Sequence, residues 1–148
     1  MLTEKHFAIL TQLRKDARMS LARISRETGM ATSTVFDHYQ QLAAEAIIKH
    51  VALPDFARLG YPLRKRFLVR TKDRRATLDW LRAHPNVNDL ARVDTHDALF
   101  EAYFRDVAEY EAFKESLKHE LRPRELQEFD ILEELKREAF IPQSNERF

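Results

Sequence analysis

The residues of this 148-residue sequence whose types and spacing suggest chemistry lie in residues 29–42, GMATSTVFDHYQQL. Gly29, one of only two glycines, is followed by small hydroxyl residues and then by polar side chains that can both donate and accept hydrogen bonds. Such side chains suit phosphates and base edges, and the N–H groups at a helix N-terminus favour a phosphate. The chemistry indicated is binding to DNA. The side chains expected at the groove are Thr32, Ser33, Thr34, Phe36, Asp37, His38 and Gln41.

Charge is distributed unevenly along the chain. The formal net charge is +1, but residues 1–50 carry +2, residues 51–82 carry +6 and residues 83–148 carry −7. A basic N-terminal half is compatible with a polyanionic partner and equally with an ordinary solvated surface. Because residues 29–42 contain no lysine or arginine, phosphate contacts would have to come from neighbouring residues. The candidates are Arg23 and Arg26, with Arg14, Lys15 and Arg18 nearby.

Two helices are predicted before this segment. Apolar residues at helical spacing predict the first helix between Thr3 and Asp16, with Thr3 as its N-cap. A second, short helix fits the residues that follow Ser20, its N-cap. Gly29 ends this helix, because a left-handed backbone costs little in a residue without a Cβ.

A third helix is predicted from about residue 32 to residue 45, with Thr32 or Ser33 as N-cap. Its inward stripe is Val35, Tyr39, Leu42 and Ala46. A short helix, a glycine turn and a helix buried on one side are typical of a helix-turn-helix, although such pairs also occur in other all-α proteins.

The rest of the chain alternates between strands and helices. A short strand is predicted at residues 47–53, followed by a linker at 54–62 that contains two prolines and Gly60. Further strands are predicted at 63–71, 87–93, 98–105 and 125–132, and helices at 74–84 and from Val107 onward. The last segment could equally be helical, since its apolar residues repeat every three positions. Taken as a strand, it completes the β-α-β-β-α-β order of a ferredoxin-like unit.

Strand 98–105 is partly apolar on both faces, whereas two helices can cover only one face of a four-stranded sheet. A second copy of the same sheet is the simplest cover for the other face, so a homodimer is expected.

In the order of its elements and in its sequence motifs, the chain resembles the leucine-responsive regulatory protein (Lrp)/AsnC family of transcriptional regulators, over about residues 2–138. The resemblance is carried by AILTQLRKDARMSLARISRETGMATSTVFDHYQQLAAEAIIKHVAL, by ARLGY and by the β-α-β-β-α-β pattern ending in LEELK. It implies a sequence-specific, DNA-binding regulator that forms dimers or higher oligomers such as octamers. In many members the C-terminal domain also binds an amino acid at a subunit interface.

The resemblance sets the expected fold class and domain boundaries. The fold class is α+β: an N-terminal winged helix-turn-helix domain followed by a ferredoxin-like βαββαβ dimerisation domain. The expected boundaries are a DNA-binding domain at 1–53 with its motif at 21–40, the linker at 54–62, the effector and dimerisation domain at 63–138, and a tail at 139–148.

The sequence departs from the family pattern at several functional positions. His38 and Gln41 replace the usual arginine or lysine of the recognition helix, and Phe36 could contact a thymine methyl or merely rest on the first helix. The effector loop, typically GD.D, reads DTHDA here. Asp94 stands at the glycine position, Thr95 replaces the first aspartate, and Asp97 is retained. The residues of the expected effector site are Asp94, Thr95, His96 and Asp97, and loss of amino-acid binding through this loop is a serious alternative.

Two other classes remain open. An assembly module without DNA binding is suggested by Asp37 and the thin positive charge of the recognition helix. Sirohaem decarboxylases share this pair of domains, but the six histidines include no pair at metal-ligand helical spacing, and only His96 lies near an expected site. No catalytic residues, metal site or cofactor are predicted. The absence of cysteine and of a long apolar run favours a cytoplasmic protein with no membrane partner.

Overall fold

The structure is a computed structural model that describes residues 1–143. The chain divides into two compact units. One comprises Met1–Leu53 together with the described residues from Lys136 onward, and the other comprises Pro54–Leu135. The expected tail at 139–148 lies partly outside the described residues.

Three helices form the N-terminal unit: α1 (Glu4–Lys15), α2 (Leu21–Thr28) and α3 (Thr32–Glu45). Each places an apolar stripe in one shared core, as the sequence spacing predicts. The buried core residues are Ile9, Leu13, Ile24, Val35 and Leu42. Of the other predicted inward positions, Tyr39 packs half-buried against the core. Ala46 is exposed, because α3 ends at Glu45 and Ala46 is its C-cap residue.

The predicted helix ends are confirmed except at the start of α3. Thr3 and Ser20 are the N-caps of α1 and α2, and the Ser20 hydroxyl accepts a hydrogen bond from the Arg23 N–H. Gly29 ends α2 in the left-handed region, with φ +69°. The N-cap of α3 is Ala31 rather than Thr32 or Ser33, because the first turn already closes between the Ala31 carbonyl and the Val35 N–H.

The strand predicted at 47–53 does not form. This segment is irregular, and Ile48, Val51 and Leu53 are exposed by 98%, 55% and 53%. Alternating apolar residues become a strand only when another strand pairs with their backbone, and no described segment does so here. The prediction of a strand was wrong because it relied on the alternating pattern alone, without a partner strand.

The C-terminal unit has the predicted β-α-β-β-α-β order. Its elements are β1 (Leu63–Arg70), α4 (Arg74–Ala83), β2 (Val87–Ala91), β3 (Ala98–Phe104), α5 (Val107–Leu121) and β4 (Glu125–Asp130). They form a four-stranded antiparallel sheet in the order β2-β3-β1-β4. The last segment is a strand and not a helix, because its backbone completes the ladder along the edge of β1.

Both helices cover the same face of the sheet. Phe67 and Phe100 are paired across β1 and β3, their rings stack at 4.7 Å, and Phe113 of α5 packs against both. The opposite face, called here the open face, carries Arg64, Arg66, Leu68, Glu101, Tyr103 and Phe129. Within the described residues, no helix is long and apolar enough to span a bilayer.

Candidate nucleic-acid interface and effector loop

The exposed edge of α3 begins at its first turn. Ser33, Phe36, Asp37 and Gln40 are exposed, Phe36 by 48%, and their i, i+3, i+4, i+7 spacing places them on one stripe of the helix. Ala31 offers no side-chain acceptor to the first-turn N–H groups, so these groups remain suited to a phosphate. Thr32 is exposed and Thr34 half-buried. Gln40 is a groove candidate that the sequence reasoning missed, because Gln41 was assigned to that edge instead.

Gln41 is turned toward α1. Its Oε1 accepts a hydrogen bond from Nε2 of the buried His6 at 2.8 Å, and its Nε2 donates to Oε1 of Glu45 at 3.0 Å. On the other side of the His6 ring, Nδ1 accepts the Thr3 backbone N–H at 2.9 Å. Because Nδ1 accepts the backbone N–H, Nε2 is the ring nitrogen that donates to Gln41. The predicted outward position of Gln41 is therefore corrected: its amide links the first turn of α1 to α3.

His38 lies beside the same imidazole. The His6 and His38 ring centroids are 4.5 Å apart, and His38 Nδ1 donates to the Thr34 carbonyl at 3.0 Å. His38 is half-buried by this packing and is not fully outward as predicted. Contact of His38 or Gln41 with DNA is not tested by these contacts, but the bonds of Gln41 to His6 and Glu45 favour a structural role for this side chain.

Positive charge near the α3 edge comes from α2. Arg23 and Arg26 are exposed, whereas the whole of α3 contains no lysine or arginine and presents Asp37. Phosphate contacts would therefore depend on α2 and on the backbone at the start of α3, while the α3 side chains would meet base edges.

The β2–β3 loop, residues 92–97, uses Asp97 for internal support. Asp97 is buried and accepts the Thr71 backbone N–H at 2.6 Å and Arg74 Nε at 3.0 Å. The Thr71 hydrogen bond and the Arg74 guanidinium hold the pKa of Asp97 below its usual value. Asp97 therefore joins the start of β3 to the segment that enters α4.

The neighbouring loop residues also contact their own chain. The Thr95 carbonyl accepts from Arg70 Nη2 at 2.7 Å, and the Thr95 hydroxyl lies 2.9 Å from His96 Nδ1. His96 Nε2 is buried 3.3 Å from Glu125 Oε1 but outside hydrogen-bonding geometry. Asp94 and Thr95 remain exposed. The four predicted effector residues thus lie together, but Asp97 faces the protein interior.

Among residues 1–143, no group of three histidine, aspartate or glutamate side chains has the geometry to hold a metal ion.

Residues 2–49 match the family described as winged helix-turn-helix DNA-binding. No curated protein matches the chain.

Several solved transcriptional regulators share its fold. The Neisseria meningitidis transcriptional regulator NMB0573, solved as an L-Met complex, is 21% identical, with 96% of this chain and 97% of that chain covered at a TM-score of 0.86. An AsnC family regulator from Agrobacterium tumefaciens is 20% identical; 95% of this chain and 97% of that chain are covered, and the TM-score is 0.84. LrpC of B. subtilis is 20% identical; 92% of this chain and 98% of that chain are covered, and the TM-score is 0.81. The fold is therefore that of AsnC and Lrp regulators, as the sequence resemblance implies.

Proposed function

We propose that this protein, which has the fold of the AsnC and Lrp regulators, is a sequence-specific DNA-binding regulator of transcription. The observation that carries the proposal is the exposed stripe of α3, which follows the Gly29 turn within the segment that matches winged helix-turn-helix DNA-binding domains. This stripe is polar, apart from Phe36, and suits the edges of base pairs in a major groove.

The proposed contacts divide by chemistry. Arg23 and Arg26 bind phosphates on either side of the groove and supply most of the salt-dependent affinity. Ser33 and Gln40 hydrogen-bond base edges, and the ring of Phe36 packs on a thymine methyl. Asp37 disfavours nearby phosphates, so it belongs over a base edge that donates a hydrogen bond, such as the cytosine amino group.

The proposed assembly is a homodimer through the open face of the sheet. Phe129 is 48% exposed there, beside Arg66. Arg64 and Arg66 both pair with Glu101 of the same chain, at 2.7 Å and 3.3 Å, and Arg64 also pairs with Glu134, so both guanidinium groups have carboxylate partners before a second copy covers them. A two-fold dimer would present two α3 helices to two half-sites.

Regulation by a small molecule is part of the proposal. The Neisseria meningitidis relative was solved with L-methionine. In this chain Asp94, Thr95 and His96 are proposed as effector contacts in the β2–β3 loop, with Asp97 supporting the loop from within.

The test of DNA binding is fluorescence anisotropy of the full chain with a random-sequence duplex at increasing salt. We expect affinity to fall steeply, and Arg23→Ala or Arg26→Ala to reduce the slope of log K against log salt by about 1 each. Arg75→Ala, at an exposed arginine of the C-terminal unit, is the matched control and should leave the slope unchanged. Absence of binding at low salt would instead support an assembly module.

The dimer is tested by sedimentation velocity. Phe129→Glu places a charge on the open face and should yield monomers. Val107→Glu, at a residue that is 62% exposed at the start of α5, should leave the dimer intact. A monomeric wild-type chain would refute the sheet-to-sheet arrangement.

A further inference from the structure

A cleft of about 360 Å³ on the outer side of α4 gathers four arginine side chains. Its lining consists of Arg74, Arg75, Leu78, Asp79, Arg82 and Arg92. All but one of these residues belong to α4, and Arg92 is the first residue of the β2–β3 loop. Because α4 covers the sheet face opposite the open face, a second copy packed on the open face leaves this arginine cleft accessible.

The helical period explains why the arginines of α4 converge. Residues 74, 78 and 82 follow one another at i, i+4 and i+8, and residue 82 follows residue 75 by seven positions. These four side chains therefore share one side of the helix. Leu78 lies among the arginines, half-buried and packed against the core of the C-terminal unit. The cleft thus has an apolar floor and a cationic rim.

Two of the arginines are oriented by carboxylates. Arg74 Nε donates to Oδ1 of the buried Asp97 at 3.0 Å, and Arg82 Nη1 donates to Oδ1 of Asp79 at 3.0 Å. Each bond uses one of the five N–H donors of a guanidinium group, so the remaining donors can bind a ligand. A guanidinium that is already held in place loses less conformational freedom when it binds an oxyanion.

The other two arginines, Arg75 and Arg92, are exposed. Among residues 1–143, neither guanidinium group has a hydrogen-bond or ion-pair partner. The four guanidinium groups face only two carboxylates, those of Asp79 and Asp97, which leaves an excess of two positive charges. Such an excess repels a ligand ammonium group and attracts a dianion.

A phosphate monoester has the chemistry that matches this cleft. It carries about −1.5 to −2 charges at pH 7, and its oxygens accept paired hydrogen bonds from guanidinium groups. We propose that the arginine cleft is a binding site for a small phosphomonoester, such as a nucleoside monophosphate. The phosphate meets Arg75 and Arg92, with the remaining donors of Arg74 and Arg82 beside them, and the organic part of the ligand packs on Leu78. The cleft volume is at the lower end of the range for small-molecule sites, which suits a ligand of this size.

A ligand in the arginine cleft acts on the β2–β3 loop through Arg74. The phosphate competes with Asp97 for this guanidinium group, so binding is coupled to the loop that is proposed to contact the effector. This consequence rests on the proposed regulator function, whereas binding itself does not. Binding is therefore measured in the absence of DNA, and its failure leaves the proposal of DNA binding unaffected.

The binding experiment is an NMR titration of the ¹⁵N-labelled full chain with adenosine monophosphate at about 150 mM salt. Two analogues each lack one part of this ligand: adenosine has no phosphate, and inorganic phosphate has no organic part. We expect the monophosphate to shift the amides of residues 74–82 and of residue 92. Adenosine should bind about tenfold more weakly or worse, and inorganic phosphate about threefold more weakly.

Variants assign the site. Arg75→Gln and Arg92→Gln should each weaken binding of the monophosphate about fivefold. Asp79→Asn removes a competing carboxylate and should strengthen binding about twofold, a gain that a damaged fold would not produce. Arg124→Gln makes the same change of charge at an exposed arginine outside the cleft and should leave the affinity unchanged. Circular dichroism melting of each variant checks that the fold is retained.

A separate titration with a DNA duplex distinguishes a small phosphomonoester from the DNA backbone as the source of the phosphate. We expect the duplex to shift amides of α2 and α3 and to leave residues 74–82 unchanged. Duplex-induced shifts at residues 74–82 as large as those from the monophosphate would assign the cleft to DNA and overturn the proposal.

Three other results would also overturn it. They are an absence of shifts at about 10 mM monophosphate, an equal affinity for sulfate, which would make the cleft a site for an adventitious ion only, and an equal loss of binding in Arg124→Gln and Arg75→Gln.

Discussion

Gln41→Ala tests whether this side chain holds the N-terminal unit together or reads DNA. In the structure its amide oxygen accepts the Nε2–H of His6, a side chain that is 3% exposed. Removing the amide leaves a buried N–H without its acceptor, which costs about 1–3 kcal/mol of unfolding free energy. In a small domain this lowers the melting temperature by several degrees.

The assay is thermal unfolding followed by far-UV circular dichroism, together with amide hydrogen exchange of α1 and α3. Gln40→Ala is the matched control, since it makes the same change one residue earlier on the same helix at an exposed position. We expect Gln40→Ala to melt close to wild type and to relax sequence preference in a selection from a random duplex pool. Gln41→Ala should melt several degrees lower and select the same sequences as wild type.

The opposite pattern would refute this reasoning. If Gln41→Ala keeps wild-type stability and protection but selects different sequences, the amide faces the groove and the link to His6 does not hold α1 to α3.

Two further predictions concern stability. Gly29→Ala should destabilise the N-terminal unit by about 1–2 kcal/mol in urea unfolding, through backbone strain alone, because φ is +69° and no atom lies within 4 Å of the added Cβ. In the C-terminal unit, Asp97 and Glu101 have pKa values below their usual ones. For Glu101 burial is the largest influence and raises the pKa, but the hydrogen bond and charge of Arg64, together with hydrogen bonds from Arg66 and Asn88, lower it by more. The stability they contribute is present above the unfolded-state pKa near ~4 and is lost as the pH falls toward the folded-state values. Melting curves followed by Trp80 fluorescence should show this acid loss, and Asp97→Asn should flatten it; an equally steep loss in that variant would contradict the assignment.

The sequence predicted most of the elements because their signals are local. Caps such as Ser20, the left-handed Gly29 and the apolar spacing of α1 to α3 act within a few residues of chain. The β4 segment was ambiguous from its spacing alone. It forms a strand because its backbone pairs with β1. Residues 47–53 form no strand because no described strand pairs with them.

At the candidate site, the side-chain positions that the sequence could not show depend on contacts between distant residues. His6 and Gln41 are 35 positions apart, so no helical wheel of α3 could show that Gln41 turns inward while Gln40 is exposed. Asp97 was identified by its match to an effector motif, but its partners, Thr71 and Arg74, belong to an earlier part of the chain. Each case had a signal in the sequence: the apolar stripe of α1 includes His6, and Asp97 directly precedes β3.

The bond between the first turn of α1 and the middle of α3 bears on protein engineering. A recognition helix transplanted from another regulator would lack its counterpart at position 6, and a histidine left there would be buried without an acceptor. Helix α3 is therefore not an interchangeable cassette in this chain. Chimeras that carry residues 3, 6, 38 and 41 together should fold. Selection for DNA specificity alone should also recover compensating changes near the N-terminus, at positions that are distant in sequence from α3.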